Sequence, residues 1–282
     1  MQILKSISAL RSTLAAARKK NKTIGFVPTM GAFHEGHLSL MRACRKQNDI
    51  VVVSIFVNPT QFGAGEDFTS YPRDKKNDCL LAKKENLDII FYPSEKSIYP
   101  DRTLTYIDVD KIAGTLCGAS RPGHFRGVAT VVGKLLNIVA PDTLYLGQKD
   151  AQQCAVIQQM VRDLNFPVKV KILPTKREPD GLAISSRNKY LSAQQRREAP
   201  VLYQSLCLAK KAIRNRQKSS TKINLLIQKT ISKKSSGKVD YIACVDANTL
   251  QPLKTIKGKT LITLAVRFGR TRLIDNIIVT DV

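Results

Sequence analysis

The chain has 282 residues, 43% hydrophobic and 24% charged, enough to bury one large core or two ordinary ones. No apolar run approaches the ~20 residues of a membrane span, and Met1-Gln2-Ile3-Leu4-Lys5 has neither a long apolar core nor a small-residue cleavage site, so a membrane or secreted protein is not expected. The formal charge of +24 is uneven: residues 176–282 hold 22 Lys/Arg against 7 Asp/Glu, and residues 1–175 hold 24 against 15.

In chain order, apolar strands alternate with amphipathic helices through the first two-thirds. Helices are predicted over 3–19, 37–47, 73–85, 126–139 and 150–163, and strands over 23–28, 50–57, 87–92, 143–147 and 168–173. Val/Ile-rich strands separated by helices read as βαβ units of a parallel, doubly wound sheet, whose ligands collect at the carboxyl ends of the strands. Three motifs lie at such ends: 28–37, 58–62 and 147–150. After about residue 175 the texture changes. A polar loop (Pro174 to Arg187) leads to a helical run from Ala193 to about Arg216, a Lys/Ser-rich stretch and a further short helix. Three β-patterned segments follow, 239–245, 260–268 and 273–279, with Phe268-Gly269-Arg270-Thr271-Arg272 as an antiparallel turn. Two domains are therefore expected, 1–175 doubly wound α/β and 176–282 a smaller α+β domain, hinged near 175–190. There are no internal repeats.

Cys44, Cys79, Cys117, Cys154, Cys207 and Cys244 lie far apart without a Cys-x-x-Cys pair, which argues against a zinc cluster or disulfide scaffold and for reduced thiols in a cytoplasm. The basic balance favours anionic ligands. Lys210, Lys211, Arg214, Arg216, Lys218, Lys233 and Lys234 are not interleaved with aromatics as a base-stacking surface is, so a solvated basic face is expected rather than a specific nucleic-acid partner.

The most informative stretch is Val27-Pro28-Thr29-Met30-Gly31-Ala32-Phe33-His34-Glu35-Gly36-His37, between the 23–28 strand and the helix after it. A strand, a Gly-containing turn and a helix start make a phosphate site, because the first helical N–H groups lack partners. His34 and His37, three apart, share one face of that turn and can donate to charge developing on a nucleotide's α-phosphate. A zinc helix spaces its histidines four apart, and His124 is the only other histidine here. No Gly-x-x-x-x-Gly-Lys-Ser/Thr phosphate loop occurs. Two purely structural histidines are the remaining reading, disfavoured by their crowding in a Gly-bracketed turn.

Five further groups carry chemistry. In Gly147-Gln148-Lys149-Asp150, Lys149 suits a phosphate and Asp150 a ribose hydroxyl, though alone the motif reads first as a turn with a helix-capping Asp. Gly181 to Asn188 includes Ser185, Ser186 and Arg187, a segment able to close on a triphosphate with Arg187 neutralising the leaving pyrophosphate, or a plain helix N-cap. Gln61 suits a small polar substrate. Arg121-Pro122-Gly123-His124-Phe125-Arg126-Gly127 is an anion or lid element or equally a structural turn, and Gln152-Gln153 either face the cleft or the surface.

These residues, together with Ser54 to Phe62 and Tyr71-Pro72-Arg73-Asp74, closely resemble the pantothenate synthetases (pantoate–β-alanine ligases), in order and spacing from about residue 20 to 192. The resemblance implies a Rossmann-like domain of the adenylate-forming nucleotidyltransferase superfamily with a C-terminal lid, usually a homodimer. It implies ATP with Mg²⁺ and a two-step ligation through pantoyl adenylate, releasing pyrophosphate and AMP. By residue, it places Met30, Gly31, Ala32, Phe33, His34, Glu35, Gly36 and His37 along ATP, with His37 as proton donor. Gly147, Gln148, Lys149 and Asp150 would contact ATP, with Lys149 on phosphate. Lys176 would offer backbone atoms to adenine. Ile184, Ser185, Ser186 and Arg187 would match a synthetase's Lys-Met-Ser-Lys loop, with Ser185 and Arg187 on phosphate. Gln61 would hold pantoate and then β-alanine, and Gln153 pantoate. The groups holding the metal are not assigned. Gln148 stands where many members have Glu, and Ile184 where Met or Leu is common; neither removes a required charge. Two other classes remain open: an adenylyltransferase acting on a phosphorylated substrate, and a nucleic-acid-binding module using the basic C-terminal half.

Overall fold

Six strands form one parallel sheet: β1 (Gln2–Leu4), β2 (Ile24–Thr29), β3 (Ile50–Ile55), β4 (Ile89–Phe91), β5 (Thr143–Gly147) and β6 (Lys169–Leu173). Their spatial order is β1-β4-β3-β2-β5-β6. The structure, a computed structural model, describes residues 1–101 and 103–280, so residues 281 and 282 of the expected C-terminal domain lie outside the described residues. The central strands are apolar runs rather than alternating ones because helices cover both faces. On one face, Leu40, Met41 and Cys44 of α2 (Glu35–Arg45) meet Val27, Val51 and Val53. On the other, Val128, Val132 and Leu135 of α6 (His124–Val139) meet Phe26, Val52 and Leu144. Helices α1 (Ile7–Arg18), α3 (Lys75–Lys84), α4 (Glu95–Ile98), α5 (Cys117–Ser120) and α7 (Ala151–Asp163) complete this layer arrangement.

The predicted helix over 3–19 starts later. Residues 2–4 are instead a strand in register with 89–91, and Ser6 begins α1 by accepting from Ala9 N at 3.2 Å. The strand's partner lies far along the chain, so no local periodicity announces it.

Beyond β6, α8 (Ala193–Glu198), α9 (Val201–Arg214) and α10 (Ser220–Lys234) precede an antiparallel sheet of β7 (Lys238–Asp246), β8 (Lys259–Phe268) and β9 (Thr271–Thr280). The helical run predicted from 193 to about 216 breaks around Pro200, which has no N–H to continue α8. The helix expected to be short, α10, runs 15 residues. One face of this sheet packs Ile262, Leu264 and Val266 against Leu206, Ile223 and Ile227 of α9 and α10. Val245, Leu261 and, half-buried, Tyr241 and Ile274 pack with the first core. The predicted turn holds: Phe268 pairs with Thr271 across Gly269 and Arg270. The architecture is thus a doubly wound parallel sheet with a smaller α+β part behind it.

Candidate active site

β2 pairs with β5 only at Gly25↔Thr143 and Phe26↔Leu144, while its pairing with β3 continues to Thr29↔Ile55. The strand order reverses around β2, so the splaying of β2 from β5 opens a crevice at the switch point of the sheet. Pro28 sits in this stretch; lacking an N–H, it is tolerated because no ladder to β5 remains to be broken.

The turn leaving β2 is left-handed at Gly31 (φ 85°) and Ala32 (φ 52°). Asp78 of α3, 1% exposed, braces it: its carboxylate accepts from Ala32 N at 2.9 Å and Phe33 N at 2.7 Å. A Cβ on Gly31 would meet Asp78 Oδ2 at 2.9 Å, so the brace and the glycine require one another. Burial raises the Asp78 pKa against the lowering effect of those two N–H bonds. Asp78 was not among the residues read as functional from sequence, since it lies 45 and 46 residues from its partners.

The turn delivers His34, the residue preceding α2, and His37 on its first turn. Their rings stack with centroids 4.0 Å apart, and Phe33 lies 5.7 Å from the His37 ring. Burial, with Lys149 nearby, lowers the His34 pKa to about 4; burial, His34 and Lys149 put His37 well below its ordinary value. Both imidazoles are therefore neutral at pH 7, each with one N–H to donate. Among the described residues their buried Nδ1 atoms have no partner. Buried polar atoms are rarely left so in a core, and a ligand site is a physical reason for it. An anion beside these rings raises their basicity, opposing the effect of burial.

A cavity of about 230 Å³ in this crevice brings together Met30, His34, Gly36, His37, Gln61, Gly147, Lys149, Asp150, Gln153, Lys176, Ile184, Ser185, Ser186 and Arg187. Five residues that the resemblance put on ATP lie off its lining. Gly31, Ala32 and Phe33 form the turn behind it, Glu35 pairs outward with Arg42, and Gln148 turns to Asn276 with Nε2–Oδ1 3.3 Å. Gln152 is taken up by three bonds, accepting from Cys117 N (3.0 Å) and donating to Ile112 O (2.9 Å) and Thr115 O (2.7 Å), which leaves Gln153 for the cleft. Asp150 makes no capping bond to α7; it meets Lys149 at 3.6 Å. Ser185 does cap, accepting from Arg187 N at 3.3 Å. The Arg187 guanidinium is bidentate on Asp67, at 3.1 and 3.0 Å, tying its loop to the segment opposite.

Gln61 ends a 3-10 turn (Pro59–Gln61) after β3. Its Oε1 accepts from Asn58 Nδ2 at 3.1 Å and its Nε2 lies 3.2 Å from Met30 Sδ. Behind it, Glu66 holds Arg121 by Oε1–Nε 2.6 Å, Arg121 reaches His124 Nε2 at 2.9 Å, and His124 Nδ1 reaches Gln61 O at 2.7 Å. Burial and the Arg121 charge lower the His124 pKa to about 4, so the ring is neutral: Nδ1–H donates to the carbonyl and Nε2 accepts from the guanidinium. The Arg121–Gly127 motif thus serves to seat Gln61.

All three histidines have folded pKa values below 6.5. Such groups bind protons more readily unfolded, so stability is full above pH 6.5 and falls as pH drops toward about 4. His124→Gln is expected to flatten this acid slope by up to about 1.4 kcal/mol per pH unit, the value for one proton. Denaturant midpoints measured across the window check it; an unchanged slope would mean His124 is already charged in the fold.

A strand-to-helix turn bearing two neutral imidazoles, lysine and arginine side chains and a neutral amide meet in one switch-point crevice, the place where enzymes of the doubly wound α/β class bind their ligands. Comparison with known proteins makes this specific. The profile of the pantoate-beta-alanine ligase family matches residues 2–278, and the chain belongs to that family. It is 52% identical over 278 residues to a pantothenate synthetase of Moorella thermoacetica (99% of this chain, 98% of the relative). To that of Caldicellulosiruptor saccharolyticus it is 53% identical over 279 residues (99% of each). A pantothenate synthetase structure from Thermus thermophilus superposes with TM-score 0.92 at 42% identity, covering 98% of this chain and 99% of that one. A pantoate–β-alanine ligase from Francisella tularensis, solved with beta-gamma ATP and β-alanine, gives 0.81 at 40% identity over 98% and 97%. The chain is accordingly an enzyme that joins pantoate and β-alanine.

Proposed function

We propose that ligation proceeds in two steps on ATP. A carboxylate oxygen of pantoate attacks the α-phosphorus, an O–P bond forms, and the bond to the β-phosphate breaks with its electron pair leaving on pyrophosphate. The neutral amine of β-alanine then attacks the acyl carbon of pantoyl adenylate; a C–N bond forms, the C–O bond breaks with its electron pair leaving on AMP, and the nitrogen gives up one proton to solvent. The observation that carries this reading is the meeting of the neutral His34–His37 stack, Lys149 and the Ser185–Arg187 loop in one cavity with Gln61 and Gln153. The ligands named for the Francisella relative support it.

In this reading the protein does little covalent work. His34 and His37 donate N–H bonds to the α-phosphate, Lys149 offsets the negative charge that gathers there, and Gln61 and Gln153 orient pantoate. Arg187 exchanges the Asp67 carboxylate for phosphate, a like-for-like bidentate partner. Lys176 and Ile184 lie at the adenine end. Magnesium fits as an ion held mainly by ATP: among the described residues no three His, Cys, Asp or Glu converge on a metal cage, and Mg²⁺ characteristically takes one or two carboxylates plus phosphate oxygens and water. Asp150 is the cleft carboxylate that would join it; bound there, the ion supplies charge neutralisation on the phosphates.

We place the domain boundary near residue 175, with 176–282 acting as a lid over the nucleotide, and infer a homodimer in the cytoplasm. Among the described residues no helix is long and apolar enough to cross a membrane.

The test is pyrophosphate release from ATP, Mg²⁺ and pantoate without β-alanine, followed by β-alanine. A stoichiometric burst and then AMP-forming turnover supports the scheme. ADP and inorganic phosphate would replace it with an acyl-phosphate route, and no pantoate dependence would favour an adenylyltransferase of phosphorylated substrates. Gln61→Ala is expected to raise the KM for pantoate ~10-fold or more, the scale of one lost hydrogen bond leaving partners unpaired, with a smaller change for ATP. Steady-state kinetics with each substrate varied in turn checks it; equal effects on both would remove Gln61 from the pantoate site.

A further inference from the structure

Asp275 and Asn276 of β9 belong to none of the motifs above, yet both are 2% exposed and both reach loops of the active site. Asn276 donates its two amide protons to the carbonyls of Gln148 and Lys149, each at 3.0 Å, and accepts from Gln148 Nε2 at 3.3 Å. This bonding uses two N–H donors and an oxygen acceptor on one short planar group, which asparagine supplies. Asp275 holds Arg177 bidentately at 2.7 and 2.9 Å. The Arg177 guanidinium lies 3.6 Å over the Tyr203 ring and donates to Gly181 O at 3.1 Å. Arg177 pairs across to Ala183, and Ile184 N donates to Lys176 O at 3.0 Å, so this anchor carries directly into the Ile184–Arg187 loop.

Lys149 itself is weakly held. Its ammonium meets Asp150 at 3.6 Å, so its position is set chiefly by its backbone, which Asn276 grips. The Arg187 loop is half-buried without a regular strand of its own, held on one side by the Arg187–Asp67 pair and on the other by the Arg177–Ala183 bridge. Two cations that must meet one triphosphate thus come from separate loops, and one dipeptide of the C-terminal sheet touches the supports of both.

We propose that Asp275 and Asn276 are positioning residues of the ligation, setting the place of Lys149 relative to the Ser185–Arg187 loop. The inference rests on the phosphate roles assigned above to Lys149 and Arg187. Adenylate formation depends on such placement, where a ~1 Å error costs on the order of a hundredfold in rate. A purely structural bond would instead only fasten the C-terminal sheet to the parallel one.

The experiment is a double-mutant cycle in the full-length enzyme: Asn276→Ala, Lys149→Ala and the pair, measured as single-turnover pyrophosphate release, with thermal unfolding alongside. Asn276→Asp, of nearly the same volume but placing a carboxylate against two carbonyls, serves if the alanine variant does not fold. Asn276→Ala and Asn276→Asp are expected to slow the first step about 10- to 100-fold. The KM for β-alanine should change little, and the double variant should be scarcely slower than Lys149→Ala alone, because residues acting through one another are not additive. Losses that multiply, or that vanish once corrected for unfolded protein, would overturn the proposal. A fully active Lys149→Ala would remove the phosphate assignment and the proposal with it, whereas a crippled Lys149→Ala with multiplying losses removes the proposal alone.

Discussion

Replacing His37 by alanine is expected to slow pantoate-dependent pyrophosphate release by ~10²–10³, the usual effect of deleting one donor to transition-state charge. Melting temperature should hold or rise. His37 lies on the first turn of α2, where alanine is the better helix former. Its buried Nδ1 has no partner among the described residues, so no hydrogen bond among them is lost when the ring goes. Activity and stability therefore part company at this position, as expected where a side chain is retained for chemistry rather than packing. Single-turnover release of pyrophosphate beside a thermal melt separates the two; near-normal release would take His37 out of the mechanism.

Gly127→Ala should damage both together. Gly127 lies on the first turns of α6, and a Cβ there would stand 2.3 Å from Thr60 O, 2.6 Å from Thr60 C and 2.7 Å from Gln61 N. These are backbone atoms that cannot swing aside, and Asn58 Nδ2 also bonds Gly127 O at 3.2 Å. The helix and the Pro59–Gln61 turn must separate, at about 1–3 kcal/mol or more for such overpacking. Because Gln61 sits on that turn and is proposed above to hold pantoate, the KM for pantoate should rise by an order of magnitude or more, the scale for displacing a substrate-positioning group by ~1 Å, while the KM for ATP changes less. Denaturant unfolding and substrate-varied kinetics on the one variant test this. A stable protein with an unchanged pantoate KM would show that the two elements can slide apart without consequence.

Arg187 illustrates how the same residue reads differently at the two levels. Its place in Ser185-Ser186-Arg187 left two readings, a phosphate partner or part of a helix N-cap, and the structure puts it on the cavity. Its present partner, Asp67, lies 120 residues away, and nothing around residue 67 signals that pairing. The +24 charge is another case: among the cations of the site, Arg121, Arg177 and Arg187 are all spoken for by carboxylates, so the excess lies elsewhere, and no feature of the fold explains it.

By itself, the sequence determined five of the six parallel strands and helices α1, α2, α3, α6 and α7 in order, the doubly wound class, the antiparallel C-terminal segments and the three strand-end motifs, but not the short α4 and α5. Each rests on local rules: side-chain periods of two or 3.6, glycine at a left-handed turn, a cap before a helix. Strand β1 escaped because its only support is β4, and α8 and α9 were joined because the period passes through Pro200. Tertiary structure alone decided that His34, His37 and His124 are neutral, since their desolvation comes from elements folded over them. It alone supplied the second carboxylates and amides, Asp78 under the Gly31 turn, Glu66 behind Arg121 and Asn276 on the Lys149 loop, across separations of 45 to 128 residues. A hydrogen-bond partner is chosen by which surfaces pack together, and that choice leaves no periodic trace along the chain.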